Sequence, residues 1–250
     1  MKKLLGLLLA VVCCCAAICA GAEEPAVHTS GDWSYVLRED GTAEIVQYTG
    51  SAAELVVPDT LDGARVTAIG MLAFKDCASL TAVTLPDSVT RIGVSAFNGC
   101  SALTDVHIPV GVSEISPLTF AYCVSLREAI LPEGVTVIGD AAFYGCEALE
   151  SVRIPGGVTV IGVQAFCLCR SLTEAVLPDS VTVIGEQAFA GCNALAGLTL
   201  SANVTSIGPD AFSFFPPIPL TVPEGSYAQR YAEDNAIPYT YADSTDWLLN

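Results

Sequence analysis

The chain has 250 residues, 52% of them hydrophobic, with 27 acidic against 10 basic side chains and a formal net charge of −17. A field of that sign repels phosphate backbones and anionic lipid, which argues against nucleic acid and membrane surfaces as partners. The same acidity keeps an apolar-rich chain dispersed in water.

The first residues read as a targeting segment. Lys2-Lys3 is a charged start, Leu4 to Ile18 is a short apolar core, and Ala20-Gly21-Ala22 supplies small residues for cleavage. Residues 1–22 are therefore predicted to be a signal peptide, cleaved near Ala22, which makes the mature protein secreted or extracytoplasmic. Losing Lys2 and Lys3 takes the net charge from −17 to −19. The apolar core is short of the roughly 20 residues a spanning helix needs. Polar residues and prolines interrupt every later apolar run, so the mature chain is not expected to insert into a membrane. Cys13, Cys14, Cys15 and Cys19 raise the question of lipidation. A lipobox needs a small residue just before the modified cysteine, but Ile18 precedes Cys19 and Val12 precedes Cys13, so plain cleavage is expected.

Residues 23–56 are read as an N-terminal β cap. Trp33 to Leu37 is aromatic and branched enough for a strand, Glu39-Asp40-Gly41-Thr42 carries the Asp-Gly hairpin signal, and Ala43 to Tyr48 is the returning strand. A third strand runs from Glu54 to Pro58, after a turn at Thr49-Gly50-Ser51. Thr60 to Arg65 is expected to be a loop holding five extra residues, and His28 to lie in a mobile stretch after the leader. A hairpin over the open end suits a terminal repeat, which lacks a neighbour on one side.

Residues 57–222 repeat every 23 positions. Phe74, Phe97, Phe120, Phe143, Phe166, Phe189 and Phe212 form one unbroken series, and a period of that size is the sign of a solenoid. Each unit has three parts. Leu-x-x-Val-x-Leu-Pro, as in Leu80 to Pro86, alternates its apolar residues like a half-buried strand. Val-Thr-x-Ile-Gly, as in Val89 to Gly93, is extended and ends on a glycine expected to take positive φ. Ala-Phe-x-x-Cys, as in Ala142 to Cys146, is expected to be a single helical turn with Phe and Cys on one face. One unit is too small to bury these residues alone, so stacking must put Phe, Ile and Leu in columns.

The string Leu-Pro-x-x-Val-Thr-x-Ile-Gly-x-x-Ala-Phe-x-x-Cys-x-x-Leu, at Leu85 to Leu103 and again at Leu177 to Leu195, resembles the BspA-like leucine-rich repeat family. The resemblance runs from about Val57 to Val222. The flanks are similar too, at Gly41 to Ile45 with Tyr48 to Ser51, and at Ser226 to Ala228 with Ile237 to Tyr239. It implies a repeat solenoid, mainly β with short helical turns: a curved, right-handed leucine-rich-repeat superhelix with a β-hairpin cap and a helix cap. It also implies a secreted or surface protein used for adhesion or protein binding, without enzyme activity.

Two units depart from the pattern. Ser116-Pro117 replaces the Gly-x pair, and since a residue before proline is pushed to extended geometry, Leu118 is expected to be displaced. In the last unit Phe212-Ser213-Phe214-Phe215-Pro216-Pro217 replaces Phe-x-x-Cys, and the following step is one residue short. Residues 223–250 are read as a C-terminal cap and tail. Ser226 is the N-cap and Gln229 the third helical residue of a capping box. Tyr227, Ala228, Tyr231 and Ala232 share one face, Asn235 stops the helix, Ile237 to Tyr241 is an edge strand, and Asp243 to Asn250 is a loose tail.

Cys77, Cys100, Cys123, Cys146, Cys169 and Cys192 keep the 23-residue step, with Cys167 extra. A metal site would want closely spaced pairs and histidines, and bridges suit poorly a column whose side chains point the same way. The cysteines are read as small inward-facing core residues. No cofactor is expected. No catalytic pattern surrounds His28 or His107, and the repeat glycines are no phosphate loop. Asn203-Val204-Thr205 fits a glycosylation sequon. Specificity is left to the outward positions of the Leu-x-x-Val-x-Leu strands, aligned by stacking into one sheet face. The expected binding residues are Asp105, His107, Glu128, Ile130, Arg153, Glu174, Val176 and Thr199. The expected partner is an extracellular or host protein, glycoproteins included. The alternative is a spacer module of a surface assembly without a specific ligand.

Overall fold

The 23-residue period becomes one turn of a solenoid, because each residue type meets its own kind one turn later. The computed structural model describes residues 25–213 and 219–242. The expected leader, Phe214 to Pro217 of the last unit and the tail from Asp243 lie outside the described residues.

The chain starts with β1 (Val27–Ser30), β2 (Trp33–Leu37) and β3 (Ala43–Tyr48), paired antiparallel in that order. The loose stretch expected around His28 is thus a strand, and the His28 ring stacks on Tyr35 at 5.2 Å. Next come β4 (Glu54–Val56), β5 (Thr60–Leu61) and β6 (Ala64–Ile69). The loop expected at Thr60 to Arg65 is instead a tight hairpin of β5 and β6, turning on Asp62 and Gly63 with φ of 47° and 89°. Two successive positive φ values are what a two-residue hairpin turn requires, and Asp-Gly supplies them at low cost. Asp62 also accepts hydrogen bonds from Ser30 Oγ at 3.0 Å and Tyr35 OH at 2.8 Å, which ties the hairpin to the cap.

From there two strand types alternate. They are β7 (Ala82–Thr84), β8 (Arg91–Ile92), β9 (Asp105–His107), β10 (Glu114–Ile115), β11 (Glu128–Ile130), β12 (Val137–Ile138), β13 (Ser151–Arg153), β14 (Val160–Ile161), β15 (Glu174–Val176), β16 (Val183–Ile184), β17 (Leu198–Thr199), β18 (Ser206–Ile207) and β19 (Leu220–Val222). Odd members come from Leu-x-x-Val-x-Leu and even members from Val-Thr-x-Ile. Pairing is parallel and in repeat register: Glu128 faces Ser151, and Ser151 faces Glu174. Between β17 and β19 the register is one residue shorter, with Leu198 facing Leu220.

The glycine ending each Val-Thr-x-Ile-Gly does not take positive φ as expected. It is needed because the next turn's backbone is too close for a side chain. A Cβ on Gly162 would sit 2.6 Å from Asp140 N, on Gly185 2.4 Å from Val163 N, and on Gly208 2.3 Å from Glu186 N. The threonine of the same segment has a bonding role. Thr159, Thr182 and Thr205 each donate Oγ to the threonine carbonyl one turn earlier, at 3.2–3.3 Å.

The Ala-Phe-x-x-Cys segment is not a helical turn. A helix would spend every amide within the segment. Here alternate amides stay local and the others cross to the next unit: Asn98 N donates to Ser95 O and Cys100 N to Phe97 O, but Phe97 N donates to Thr119 O and Gly99 N to Ala121 O. That alternation requires left-handed residues. One column of them is Leu72, Ser95, Leu118, Ala141, Gln164, Gln187 and Asp210, with φ from 52° to 61°. Leu118, at 59°, therefore keeps its place despite Pro117, against expectation. The break falls elsewhere. β8 pairs with β6 and β10 pairs with β12, so this ladder is divided at Ser116. Ser116 Oγ donates to Ile92 O at 2.6 Å, where the other units use a glycine amide, as Gly93 N does to Ile69 O.

Inside, the phenylalanines stack. Centroids from Phe74 to Phe212 follow one another at 4.8–6.0 Å with interplanar angles of 2–18°. Trp33 and Tyr48 close the column against Phe74, at 6.2 and 5.7 Å. At the other end lies α1 (Tyr227–Asp234), N-capped by Ser226, whose Oγ accepts from Gln229 N at 3.1 Å. Gln229 Oε1 accepts from Gly225 N, where the capping box placed the Ser226 amide. Ala228, Tyr231 and Ala232 are buried, and Tyr231 meets Phe212 edge-on at 6.0 Å. β20 (Tyr239–Tyr241) then pairs with β19.

Two outcomes follow for stability. Phe143→Ala is expected to cost about 3–5 kcal/mol in a denaturant titration, the loss for truncating a buried aromatic; an unchanged midpoint would contradict the stacked core. Gly185→Ala is expected to lose about 1–3 kcal/mol by overpacking, whereas Gly156→Ala, with nothing within 4 Å of its would-be Cβ, should leave the midpoint nearly unchanged.

Candidate functional site

Alternation along β7 to β17 turns the middle residue inward and its neighbours outward. Val106, Ala129, Val152 and Ala175 are buried, while Asp105, His107, Glu128, Arg153, Glu174 and Thr199 are exposed. Ile130 and Val176 remain 64% and 60% exposed, so the face presents two large aliphatic side chains to water.

The face is not one continuous sheet, as expected, but three ladders: β4-β7-β9, β11-β13-β15 and β17-β19-β20. Three-residue strands make so few bonds that a small displacement removes a ladder. The solenoid stays joined at each gap because β10 still pairs with β12 and β16 with β18. The gaps sort the expected residues. Glu128, Ile130, Arg153, Glu174 and Val176 come together on β11-β13-β15. Asp105 and His107 lie across one gap, and Thr199 across the other.

On the central ladder the residues form two rows in register. One row is Glu128, Ser151, Glu174; the other is Ile130, Arg153, Val176. A depression of about 360 Å³ is lined by Glu128, Ser151, Arg153, Glu174 and Val176, with Val152 and Ile154 beneath. A second, of about 480 Å³, opens at the β15–β17 gap, where Gly197 and Ala196 leave room beside Glu174, Val176 and Thr199. Arg153 reaches Glu133 at 3.8 Å, but both are largely in water, so the pair holds the guanidinium only weakly. This arrangement offers shape, two apolar contacts and charges of both signs. Sequence reasoning missed that the rows have a two-unit rhythm. Glu-Ala-Ile at 128–130 and Glu-Ala-Val at 174–176 recur 46 residues apart, and that signal could have singled out this ladder.

Five of the six column cysteines are buried and Cys77 is half-buried; all six, and the extra Cys167, are free thiols. Cys100, Cys123, Cys146, Cys169 and Cys192 each donate from Sγ to a phenylalanine carbonyl 26 residues earlier, as Cys146 does to Phe120 O at 3.1 Å. Burial pushes Cys123 and Cys192 up to about 12 and raises Cys146 and Cys169 as well. Such groups stay protonated, which suits neither a nucleophile nor a metal ligand. Among the described residues no cluster of three or more His, Cys, Asp or Glu could hold a metal ion. Among the same residues no helix is long and apolar enough to cross a membrane.

Short parallel strands on two sides, a phenylalanine spine and a leucine at each turn's close define a leucine-rich-repeat solenoid. The family model for the BspA type leucine rich repeat region matches residues 67–196 and 159–226, in six copies, and the chain belongs to that family. A leucine-rich cell surface protein of Faecalibacterium prausnitzii A2-165 has a similar structure, with a TM-score of 0.73 and 35% identity, over 81% of this chain and 56% of that one. A leucine-rich repeat protein of Bacteroides ovatus is similar at a TM-score of 0.65 and 26% identity, over 83% and 62% of the two chains. The Treponema pallidum leucine-rich repeat protein aligns at 0.50 and 25%, over 88% of this chain and all of that one. The chain thus spans about three-fifths of the first two. Among curated proteins none is significantly similar in sequence. The family is one of repeat scaffolds on bacterial surface proteins.

The thiols set a pH dependence. Below their ordinary value of 9.0 both folded and unfolded chains hold the proton. Between 9 and about 12 the unfolded chain releases it first, so unfolding is favoured as pH rises, by about 1.4 kcal/mol per pH unit for each such thiol. Denaturant titrations at pH 8 and 10 should show a smaller alkaline loss for Cys123→Ala than for the parent. Equal losses would mean that this thiol is not held protonated by the fold.

Proposed function

We propose that the protein is an exported binding scaffold, acting in adhesion or partner capture at or outside the cell surface, with no catalysis of its own. The observation that carries this is the central ladder, where Ile130 and Val176 stand exposed on either side of Arg153, on strands fixed by the stacked core. An exposed aliphatic pair rimmed by charge can serve as the apolar centre of a partner site, with the charges as its rim. Membership in a family of surface scaffolds supports the same reading, as does the neighbour that is itself a cell surface protein. Export rests on the charged-apolar-small pattern of residues 1–22.

The test is capture of extracellular host proteins by the immobilised mature chain and by a Glu128→Ala/Ile130→Ser/Arg153→Ala/Val176→Ser variant with an unchanged circular dichroism spectrum. The parent should retain a partner that the variant loses. Retention of nothing by the parent would favour the spacer alternative, and equal retention by both would move the site off this ladder.

A further inference from the structure

The two-unit rhythm of the central ladder sets a distance. β11 and β15 are separated by one strand, so Ile130 and Val176 lie two strand spacings apart, about 9.6 Å. The carboxylates of Glu128 and Glu174 repeat at the same interval, because each is two residues before its aliphatic partner on the same strand. The rows themselves run side by side about 6.6 Å apart, the rise of two strand residues. A ligand that lies across the strands and uses both pairs alike must carry its own chemistry at that interval.

Among regular peptide conformations, the polyproline II helix repeats its face every third residue, about 9.3 Å. An extended strand repeats every second residue, about 6.6 Å, and two turns of α-helix cover about 10.8 Å. The polyproline II interval is the nearest match. Its three faces also suit two rows: one face can rest on Ile130 and Val176 while the next turns toward Glu128 and Glu174. Its backbone carbonyls make no internal bonds and are open to donors. Arg153 stands midway between the two aliphatic side chains, mostly in water, with five N–H donors to offer. The net charge of −17 and the carboxylate row favour a cation on the second face.

We propose that the β11-β13-β15 face docks a polyproline II segment of a partner protein in which every third residue is proline or another compact apolar residue followed by lysine or arginine. The proposal rests on the binding reading of this face and names the partner's chemistry. A segment of this kind reaches the surface already extended, so docking orders little chain and the cost of binding is low.

The probe is a labelled peptide of four Pro-Pro-Lys units. The control has the same composition, with the lysines permuted so that no two are three residues apart. Both are followed by fluorescence anisotropy. The regular peptide should bind the parent about tenfold more tightly than the control. Ile130→Ser/Val176→Ser and Glu128→Gln/Glu174→Gln, each with a native circular dichroism spectrum, should each weaken it by about as much. Equal binding of the two peptides would mean charge attraction alone and would overturn the proposal. So would indifference to the substitutions, or no binding. If the four-site variant loses its captured protein while the regular peptide fails to bind, the polyproline II assignment falls and the binding reading stands. If neither responds, both fall.

Discussion

A single column of stacked phenylalanines sets the geometry that everything else obeys. Rings that repeat at about one strand spacing require the backbone to rise by the same step at each turn. The strands, the corner glycines and the threonine hydroxyls all comply with that step. The glycines ending Val-Thr-x-Ile-Gly are small because the neighbouring backbone comes within 2.3–2.8 Å of where a Cβ would be. The thiols sit where a phenylalanine carbonyl can accept their proton, so the cysteine column belongs to the packing. At the ends Trp33, Tyr48 and Tyr231 cover the exposed rings, and Tyr231 spends its hydroxyl on Gly208 O at 3.2 Å.

Each turn meets its neighbour along three strips: two strand ladders and the turn segment. Their redundancy explains how the structure tolerates interruptions. Where β9 and β11 part, β10 and β12 remain paired; where β8 and β10 part, β7 and β9 remain paired. The gaps then become a resource. They divide the outward face into patches, and the patch with mixed chemistry is the one whose three strands stay in register.

The solenoid was readable from the sequence because its signal is repeated. Seven phenylalanines at one spacing, and the Leu-Pro and Ile-Gly punctuation between them, define the repeat strands and the core, while the Asp40-Gly41 turn and the Ser226–Gln229 capping box mark the two ends. The turn segment was misread as helical because Phe and Cys three apart fit a helix as well as a series of tight turns. What separates the two is the direction of alternate amides, and left-handed φ at Leu118 or Gln164 leaves no mark in residue type. The Asp62-Gly63 hairpin did carry its signal, but the count of extra residues disguised it as a loop. The outward residues were identifiable by alternation. Their division among three ladders depends on displacements too small for any pattern of letters to encode.

Continuity of the phenylalanine stack is measured most directly by native-state amide hydrogen exchange. The amides of Phe120, Phe143 and Phe166 donate across to Ala142, Ala165 and Ala188 at 2.8 Å, in the middle of the column. They should exchange only through global unfolding, far more slowly than the amides of the edge strand β1. Exchange of the Phe143 amide as fast as that of Val27 to Ser30 would show that the turns open one by one, and that no common spine holds them.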